Sequence, residues 1–140
     1  MIFRVIVAGS RGFLNARAAF QALDFVLGEK LKKDDVVIVS GGAQGPDTLG
    51  KRWAEQTPIA VKCVEYPAEW AKYGRSAGMR RNEVMADNAD ALVAFWDGVS
   101  VGTKHMIERM VRMGKPVRIV HVNIAEQAVT GYSIPTPAGA

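Results

Sequence analysis

The sequence is poor in cysteine and histidine and has no long hydrophobic run. Its single cysteine, Cys63, cannot form an internal disulfide, and its place in an apolar, strand-like stretch predicts a small buried residue. Cys, His and Asp do not occur at the spacings of metal ligands, so we expect no bound metal and no cofactor. Nothing approaches the roughly 18 apolar residues of a membrane span, and the amino-terminal stretch is unlike a signal peptide. These absences favour a cytoplasmic protein without a membrane partner.

The composition is that of a folded globular domain. Of 140 residues, 49% are hydrophobic and 23% are charged, which is enough to build one core. The formal net charge is +4, which favours an anionic ligand and is compatible with weak nucleic-acid contact. A mildly basic surface that only aids solubility explains the same charge.

Short stretches rich in valine and isoleucine alternate with amphipathic helical patterns. Strands are predicted at residues 3–8, 36–40, 60–65, 91–95 and 117–122, and helices at residues 15–32, 46–56, 79–88 and 102–113. Strands that are apolar on both faces and joined through helices are typical of a parallel sheet covered on both sides. We therefore predict one doubly wound α/β domain of about five parallel strands over residues 1–122. A peripheral tail, rich in proline, follows at 123–140.

Glycine-rich loops follow three of the predicted strands. Ligands bind such sheets beyond the carboxyl ends of the strands. There, glycine lets a phosphate approach the backbone, and the next helix adds unsatisfied N–H donors and partial positive charge. One such loop would be explained by a tight turn, but three at one edge favour a phosphate or nucleotide site. The candidate binding residues in these loops are Gly9, Ser10, Arg11, Gly41, Gly42, Gln44, Gly45, Asp47, Gly98, Ser100, Gly102 and Thr103.

Two familiar phosphate-binding motifs are not matched. Gly9 and Gly12 do not have the spacing of the dinucleotide fingerprint, and Arg11 stands where its second glycine would be. Lys51 imitates the lysine of a P-loop, but Arg52 replaces the hydroxyl residue that would hold magnesium. We expect neither motif to operate here.

A basic and aromatic segment leads into the third predicted helix. Arg80, Arg81 and Asn82 stand at the start of that helix, and arginine binds phosphate as a two-pronged donor. Trp70 precedes them, and Trp96 stands at the end of the fourth strand. Both tryptophans are candidates for stacking on a base, although packing against the sheet edge would explain them equally well.

Several motifs occur in an order that resembles a known family. They are residues 9–11, 41–47, 67–70, 78–85, 90–95 and 102–103. Together they resemble the YspA-like, cpYpsA-related members of the SLOG superfamily, which is related to the lonely-guy phosphoribohydrolases and to the Rossmann-like domain of DNA-processing protein A. The resemblance runs from residue 3 to about 120. It implies a Rossmann-like fold, a homodimer, and a nucleotide-derived ligand such as an ADP-ribose-like molecule or a nucleoside monophosphate.

The phosphoribohydrolases carry an Arg-Lys-x-x-Met motif and a Gly-Gly-x-Gly-Thr-x-x-Glu motif, whose arginine and glutamate act at the glycosidic bond. Residues 81–85 look like the first motif with Asn82 in place of lysine, and residues 98–103 look like a looser second motif. Met106 stands where the glutamate would be, and Glu108 lies more than one helical turn from the mouth of the site. Hydrolysis would therefore need another acid.

Three hypotheses follow. The first is a sensing or sequestering module that binds a nucleotide-derived ligand. The second is a hydrolase of N-glycosidic bonds, with Arg81, Asp47 and Asp97 as the catalytic candidates, although Asp47 could instead cap the second helix or bind a ribose hydroxyl. The third is a DNA-binding protein, which the lack of a dense basic stripe makes less favoured. The missing glutamate favours the first.

Overall fold

The computed structural model describes residues 1–57 and 61–135, which form a mostly parallel sheet with helices on both faces. The elements in chain order are β1 (Ile2–Gly9), α1 (Ala16–Lys33), β2 (Asp35–Ser40), α2 (Pro46–Gln56), β3 (Lys62–Glu65), α3 (Trp70–Tyr73), a 3-10 turn (Gly74–Ser76), α4 (Ala77–Asp87), β4 (Ala91–Trp96), α5 (Val101–Arg112), β5 (Val117–Asn123) and β6 (Ala128–Ser133). The predicted doubly wound α/β fold is confirmed.

The strand order places a switch in chain direction at the centre of the sheet. The order is β3-β2-β1-β4-β5-β6, with parallel pairing everywhere except between β5 and β6. The chain builds outward from β1 to β3 and then crosses back to β4, on the other side of β1. The connections after β1 and β4 therefore leave in opposite directions, which opens a crevice beyond the carboxyl ends of these strands.

Two hydrophobic cores lie on opposite faces of the sheet. Val5 and Val7 of β1 belong to the core that includes buried residues of α1 and α2, whereas Ile6 belongs to the core that includes α4 and α5. Successive side chains of a strand point to opposite faces, so a central strand covered on both sides is a continuous apolar run. This is the pattern from which the strands were predicted.

Local signals fixed the helix ends well. Asn15 caps α1, because its side-chain oxygen accepts a hydrogen bond of 3.1 Å from the Ala18 amide. Pro46 is the first residue of α2, where the missing amide hydrogen of proline costs nothing. The third predicted helix corresponds to α4, which begins at Ala77, two residues before the predicted start, and which α3 and the 3-10 turn precede.

Within the described ranges, no helix is long and apolar enough to cross a membrane.

Within the described residues the sheet has six strands, rather than the expected five or so. β6 lies in the segment 123–140 that was expected to be a peripheral tail, and it pairs antiparallel with β5 at the edge of the sheet. The expected burial of Cys63 is also wrong. Its side chain is only partly buried, because β3 is the opposite edge strand. Residue 60, where the third strand was predicted to begin, and residues 136–140 lie outside the described residues.

Candidate functional site

A cleft of about 520 Å³ opens at the carboxyl ends of β1 and β4. This is the switch point of the sheet, and the volume is typical of small-ligand sites. The loops after β1, β2 and β4, the first turns of the helices and the turn after β5 all contribute to its walls. The lining residues are Ala8, Gly9, Ser10, Arg11, Gly12, Ala43, Asp47, Arg81, Asn82, Asp97, Ser100, Val101, Gly102, Thr103, Met106 and Ile124.

The amino end of α5 supplies backbone donors to the cleft. Val101, Gly102 and Thr103 form the first turn of this 12-residue helix, and all three line the cleft. First-turn amides have no partner within a helix, and the helix dipole adds partial positive charge there. No side chain caps this end, because Ser100 makes no capping hydrogen bond. The arrangement suits an anion.

Asp97 shapes the loop that leads into α5. Its carboxylate accepts hydrogen bonds from the amides of Val99, at 3.0 Å, and Ser100, at 2.8 Å, and from the Ser100 hydroxyl at 3.0 Å. Its own amide donates to Ser10 Oγ at 3.1 Å, which ties the loop after β4 to the loop after β1. Burial alone would raise the pKa of Asp97, but these hydrogen bonds outweigh burial and hold it below its usual value. Asp97 is therefore an ionised residue that organises the loop.

The turn after β2 is held from two sides by Asp47 and Arg81. The Asp47 carboxylate accepts hydrogen bonds from the Gly41 amide at 3.1 Å and the Ala43 amide at 3.4 Å. Arg81 Nη1 donates to the Gly41 carbonyl at 2.5 Å. A Cβ on Gly41 would lie 2.6 Å from Arg81 Nη1 and 2.8 Å from Asp47 Oδ2, so only glycine fits between the two charged groups.

Asp47 is a buried acid with an unusual affinity for protons. Its exposed fraction is 5%, and burial raises its pKa from 3.8 to about 6, although the charge of Arg81 and the hydrogen bonds from Ala43 and Gly41 oppose the rise. It does not cap α2, since Gly45 holds the N-cap position and the carboxylate reaches back to the preceding turn. The capping alternative is therefore wrong.

Two guanidinium groups border the cleft. Arg81 is partly buried, and its Nε donates to Asn82 Oδ1 at 3.0 Å. Burial lowers the pKa of Arg81, Asp47 raises it and the nearby charge of Arg11 lowers it further, yet arginine remains charged in proteins. Arg11 is exposed, on the loop after β1. These arginines and the amino end of α5 give the cleft positive charge from several directions.

The structure brings most of the predicted site residues together. Those that line the cleft are Gly9, Ser10, Arg11, Asp47, Arg81, Asn82, Asp97, Ser100, Gly102 and Thr103. A neighbouring hollow of about 300 Å³ is lined by three more, which are Gly41, Gly42 and Trp70. Gln44, Gly45, Arg80, Gly98 and Trp96 line neither space.

Arg80 and Trp96 have structural partners instead. The Arg80 guanidinium lies over the Tyr73 ring, 4.5 Å from its centroid, and its Nε donates to Ser76 Oγ at 3.1 Å. Trp96 packs against the core on the α4–α5 face, and its Nε1 donates to the Ser100 carbonyl at 3.1 Å. Trp96 therefore holds Ser100, which lines the cleft, without lining the cleft itself.

Gly45 has a different role in the site. Its φ is +87°, and a Cβ there would lie 2.8 Å from the Arg11 carbonyl oxygen and 3.0 Å from Arg11 Cα. The loops after β1 and β2 are thus packed backbone against backbone. Any side chain at position 45 would separate them.

The turn between β5 and β6 belongs to the site, which the sequence did not indicate. Ile124 lines the cleft, and its Cγ2 would be 3.0 Å from a Cβ on Gly12. The Gln127 side chain donates to the Gly12 carbonyl and accepts from the Leu14 amide, both at 2.7 Å. The Gln127 carbonyl also accepts from Asn15 Nδ2 at 2.8 Å. Gln127 therefore holds the loop after β1 against the turn that carries Ile124.

The acid expected to be remote from the site is remote. Glu108 is exposed on α5 and pairs with Lys104 at 3.9 Å. Across residues 1–57 and 61–135, no three His, Cys, Asp or Glu side chains come together as metal ligands. Asp47 is thus the acid in the cleft whose carboxylate is both buried and shifted toward neutral pH.

The fold and the cleft place the chain among Rossmann-like α/β proteins. A sequence model of the YspA, cpYpsA-related SLOG family matches residues 3–73. The Gene 61 protein of Mycobacterium phage D29 is 34% identical over 120 residues, which is 81% of this chain and 93% of the phage protein. The chain belongs to the YspA, cpYpsA-related SLOG family, as the sequence motifs predicted.

A solved structure shares the fold. The X-ray structure of the protein TM1055 has a TM-score of 0.57 and 21% sequence identity, and the likeness covers 84% of this chain and 72% of that one. At this identity the likeness shows the fold alone. Family membership fits a nucleotide-related role.

Proposed function

We propose that the cleft binds a nucleotide-derived ligand, an ADP-ribose-like molecule or a nucleoside monophosphate, and that the protein senses or sequesters it. One observation carries the proposal: the free first-turn amides of α5 and the guanidinium groups of Arg11 and Arg81 border one cleft. A phosphate there gains backbone donors from a helix end and charge-assisted hydrogen bonds from arginine. The cleft also has apolar walls at Met106 and Ile124, which suit the less polar parts of a nucleoside.

Arg81 and Arg80 provide a matched test of this proposal. They are neighbours on α4, but Arg81 lines the cleft and Arg80 lies over Tyr73. We expect Arg81→Ala to weaken binding of AMP and ADP-ribose by about 30- to 100-fold, the equivalent of roughly 2–3 kcal/mol for a charge-assisted contact. Arg80→Ala should bind within about twofold of the unchanged protein.

Calorimetric titration of both variants, with thermal shift as a second readout, measures these effects. Equal binding by the unchanged protein and Arg81→Ala would remove Arg81 from the site. Binding to DNA that weakens steeply with salt, without any response to mononucleotides, would support the nucleic-acid hypothesis instead.

One observation favours a second function, hydrolysis of an N-glycosidic bond. A carboxyl with a pKa of about 6 in a ligand-sized cleft, as at Asp47, is suited to general acid or base catalysis near neutral pH. In this role Arg81 would stabilise the phosphate or the leaving group. Asp97 has the opposite pKa shift and its carboxylate is engaged by the loop, so its supporting role would be to position the loop.

Incubation with AMP and ADP-ribose, followed by chromatography, tests hydrolysis. Release of free base that Asp47→Asn abolishes would support catalysis, provided that the variant still binds the nucleotide. Tight binding by the unchanged protein without release of base would leave the sensing or sequestering function.

A further inference from the structure

A second space adjoins the cleft and shares part of its wall. It is the hollow of about 300 Å³, and its lining residues are Arg11, Gly41, Gly42, Ala43, Glu65, Pro67, Ala68, Trp70 and Arg81. Arg11, Ala43 and Arg81 line both spaces. The two guanidinium groups therefore stand at the boundary between the cleft and the hollow.

We propose that the ligand has two parts and that it is a nucleoside diphosphate that carries a sugar as its second head group. The nucleoside occupies the cleft, the diphosphate lies along the path from the amino end of α5 to Arg11 and Arg81, and a sugar occupies the hollow. This inference rests on the proposed nucleotide-binding function. It selects nucleoside diphosphate sugars over nucleoside monophosphates.

The position of the arginines argues for a bridging diphosphate. Arg11 and Arg81 line both spaces, so a phosphate bound between them can be linked to a group in the cleft and to another in the hollow. The α5 amides provide a separate set of anion donors within the cleft. Two sets of donors along one path match the two phosphates of a diphosphate better than a single phosphate.

The hollow offers a hydrogen-bond acceptor to a head group that carries hydroxyl groups. Glu65 lines the hollow, and its Oε1 forms a salt bridge of 2.8 Å with Lys51 Nζ. The other carboxylate oxygen, Oε2, lies 4.0 Å from the position that a Cβ on Gly42 would take. A carboxylate accepts hydrogen bonds from sugar hydroxyl groups. The hollow is therefore suited to hydroxyl donors.

Trp70 gives the hollow an aromatic wall. Its side chain is 54% exposed although it belongs to a helix that packs beside α4, so its indole ring has free surface. The ring offers an apolar face to a sugar and can also stack on a base. Gly42, which also lines the hollow, lies in the left-handed region at φ +73° and adds no side chain to its wall.

Titration with matched ligand series tests the inference. The probes are AMP, ADP and ADP-ribose, and UMP, UDP and UDP-glucose. In the series that binds, we expect the diphosphate sugar to bind at least about tenfold more tightly than the diphosphate. Trp70→Ala and Glu65→Ala should each remove most of this advantage and leave the affinity for the monophosphate within about twofold. Tyr73→Ala, on the same short helix but outside the hollow, is the control and should keep the advantage.

The outcomes separate the inference from the function on which it rests. Failure of all six compounds to bind would overturn the proposed function and the inference with it. Binding of the monophosphate and the diphosphate sugar with equal affinity would overturn only the two-part ligand. A loss of monophosphate affinity in Trp70→Ala equal to the loss for the diphosphate sugar would do the same, since the tryptophan would then serve the cleft or the fold as a whole.

Discussion

At the scale of single residues, Asp47 combines two roles that oppose each other energetically. Its carboxylate organises the turn at Gly41 and Ala43, yet the site buries it enough to raise its pKa to about 6. A group whose pKa is higher in the folded than in the unfolded protein binds more protons when folded. The fold therefore loses stability as the pH rises through the interval between the two values.

This gives a pH-dependent prediction for Asp47→Asn. The pKa difference, from 3.8 to about 6, corresponds to roughly 3 kcal/mol. We expect the variant and the unchanged protein to have similar free energies of unfolding near pH 4, and the variant to become more stable by up to that amount above pH 6. The asparagine oxygen can still accept the hydrogen bond from the Gly41 amide. Urea denaturation at several pH values measures the difference.

Asp97→Asn is the control of opposite sign. The pKa of Asp97 is lowered in the folded protein, so its contribution is present at neutral pH and is lost as the pH falls through the folded pKa. The variant should be destabilised at pH 7. A difference between Asp47→Asn and the unchanged protein that did not vary with pH would show that Asp47 has an ordinary pKa.

Gly41 offers a prediction about the position of Arg81. An alanine Cβ would displace the end of the Arg81 side chain, because the two would be 2.6 Å apart. We expect Gly41→Ala to weaken nucleotide binding at least about tenfold, as removal of one charge-assisted contact would.

Gly28→Ala is the matched control for Gly41→Ala. Gly28 lies inside α1 with open space around it, so this change should leave binding intact and stabilise the protein by about 0.5–1 kcal/mol. Titration and thermal unfolding together check both variants. Unaltered binding in Gly41→Ala would mean that the guanidinium can move aside without consequence for the ligand.

Arg80 and Arg81 show what the sequence alone could not predict. Arg80 and Arg81 are adjacent, and both were predicted to bind the ligand, but a helix turns by about 100° per residue and can present only one of them to the cleft. The rotation of α4 relative to the sheet decides between them, and tertiary packing sets that rotation. Asp47 could be placed at the ligand edge from the sequence, but its burial could not.

At the scale of elements, strands and loops were easier to predict than the contacts between them. The apolar runs and glycine-rich turns identified five of the six strands found in residues 1–57 and 61–135, and the edge at which the cleft opens. The role of the turn between β5 and β6 was not predicted, because it depends on contacts between Gln127 and the distant residues Gly12, Leu14 and Asn15. These residues precede Gln127 in the sequence by more than 110 positions. Gln127 has a φ of 51°, a conformation that glycine or asparagine would have signalled.

Gln127 yields a prediction about this turn. Gln127→Ala removes both hydrogen bonds from its side chain to the loop after β1, at the Gly12 carbonyl and the Leu14 amide. We expect a loss of about 1–3 kcal/mol in stability and weaker nucleotide binding, because the loop that carries Arg11 loses its support. Chemical denaturation and titration are the measurements.

Two further variants isolate the cause of the Gln127 effect. Glu126→Ala, an exposed change in the same turn, should alter neither property. Gln127→Gly removes the backbone strain as well as the side chain, so it should recover part of the stability but none of the affinity. Full nucleotide affinity in Gln127→Ala would show that the loop after β1 keeps its shape without the Gln127 side chain.

At the scale of the whole molecule, β6 closes one side of the fold. It pairs along β5, and Tyr132 on it meets Phe25 of α1 with ring centroids 5.0 Å apart. Val129 and Ile124 pack against the core on the α1–α2 face. Residues 124–135 therefore support both the sheet edge and the cleft. The homodimer expected from the family resemblance stays a prediction, which light scattering of the purified protein would check.

Truncation after Asn123 tests the importance of this segment. It would expose β5 and the apolar surface under β6, and we expect a loss of several kcal/mol in stability or failure to fold. Removal of residues 136–140 alone is the control and should leave stability within about 0.5 kcal/mol. Circular dichroism and urea denaturation compare the two. A truncated protein as stable as the full chain would show that residues 1–123 suffice for the fold.

The close contact between Gly45 and the Arg11 backbone has a consequence for how a ligand arrives. The loops after β1 and β2 pack closely through their main chains at Arg11 and Gly45, so neither loop can open like a lid without separating from the other. The cleft is therefore preformed and does not need a ligand to take its shape. The cost in conformational entropy is met during folding, and encounter with a nucleotide should proceed in a single fast step without a slow isomerisation.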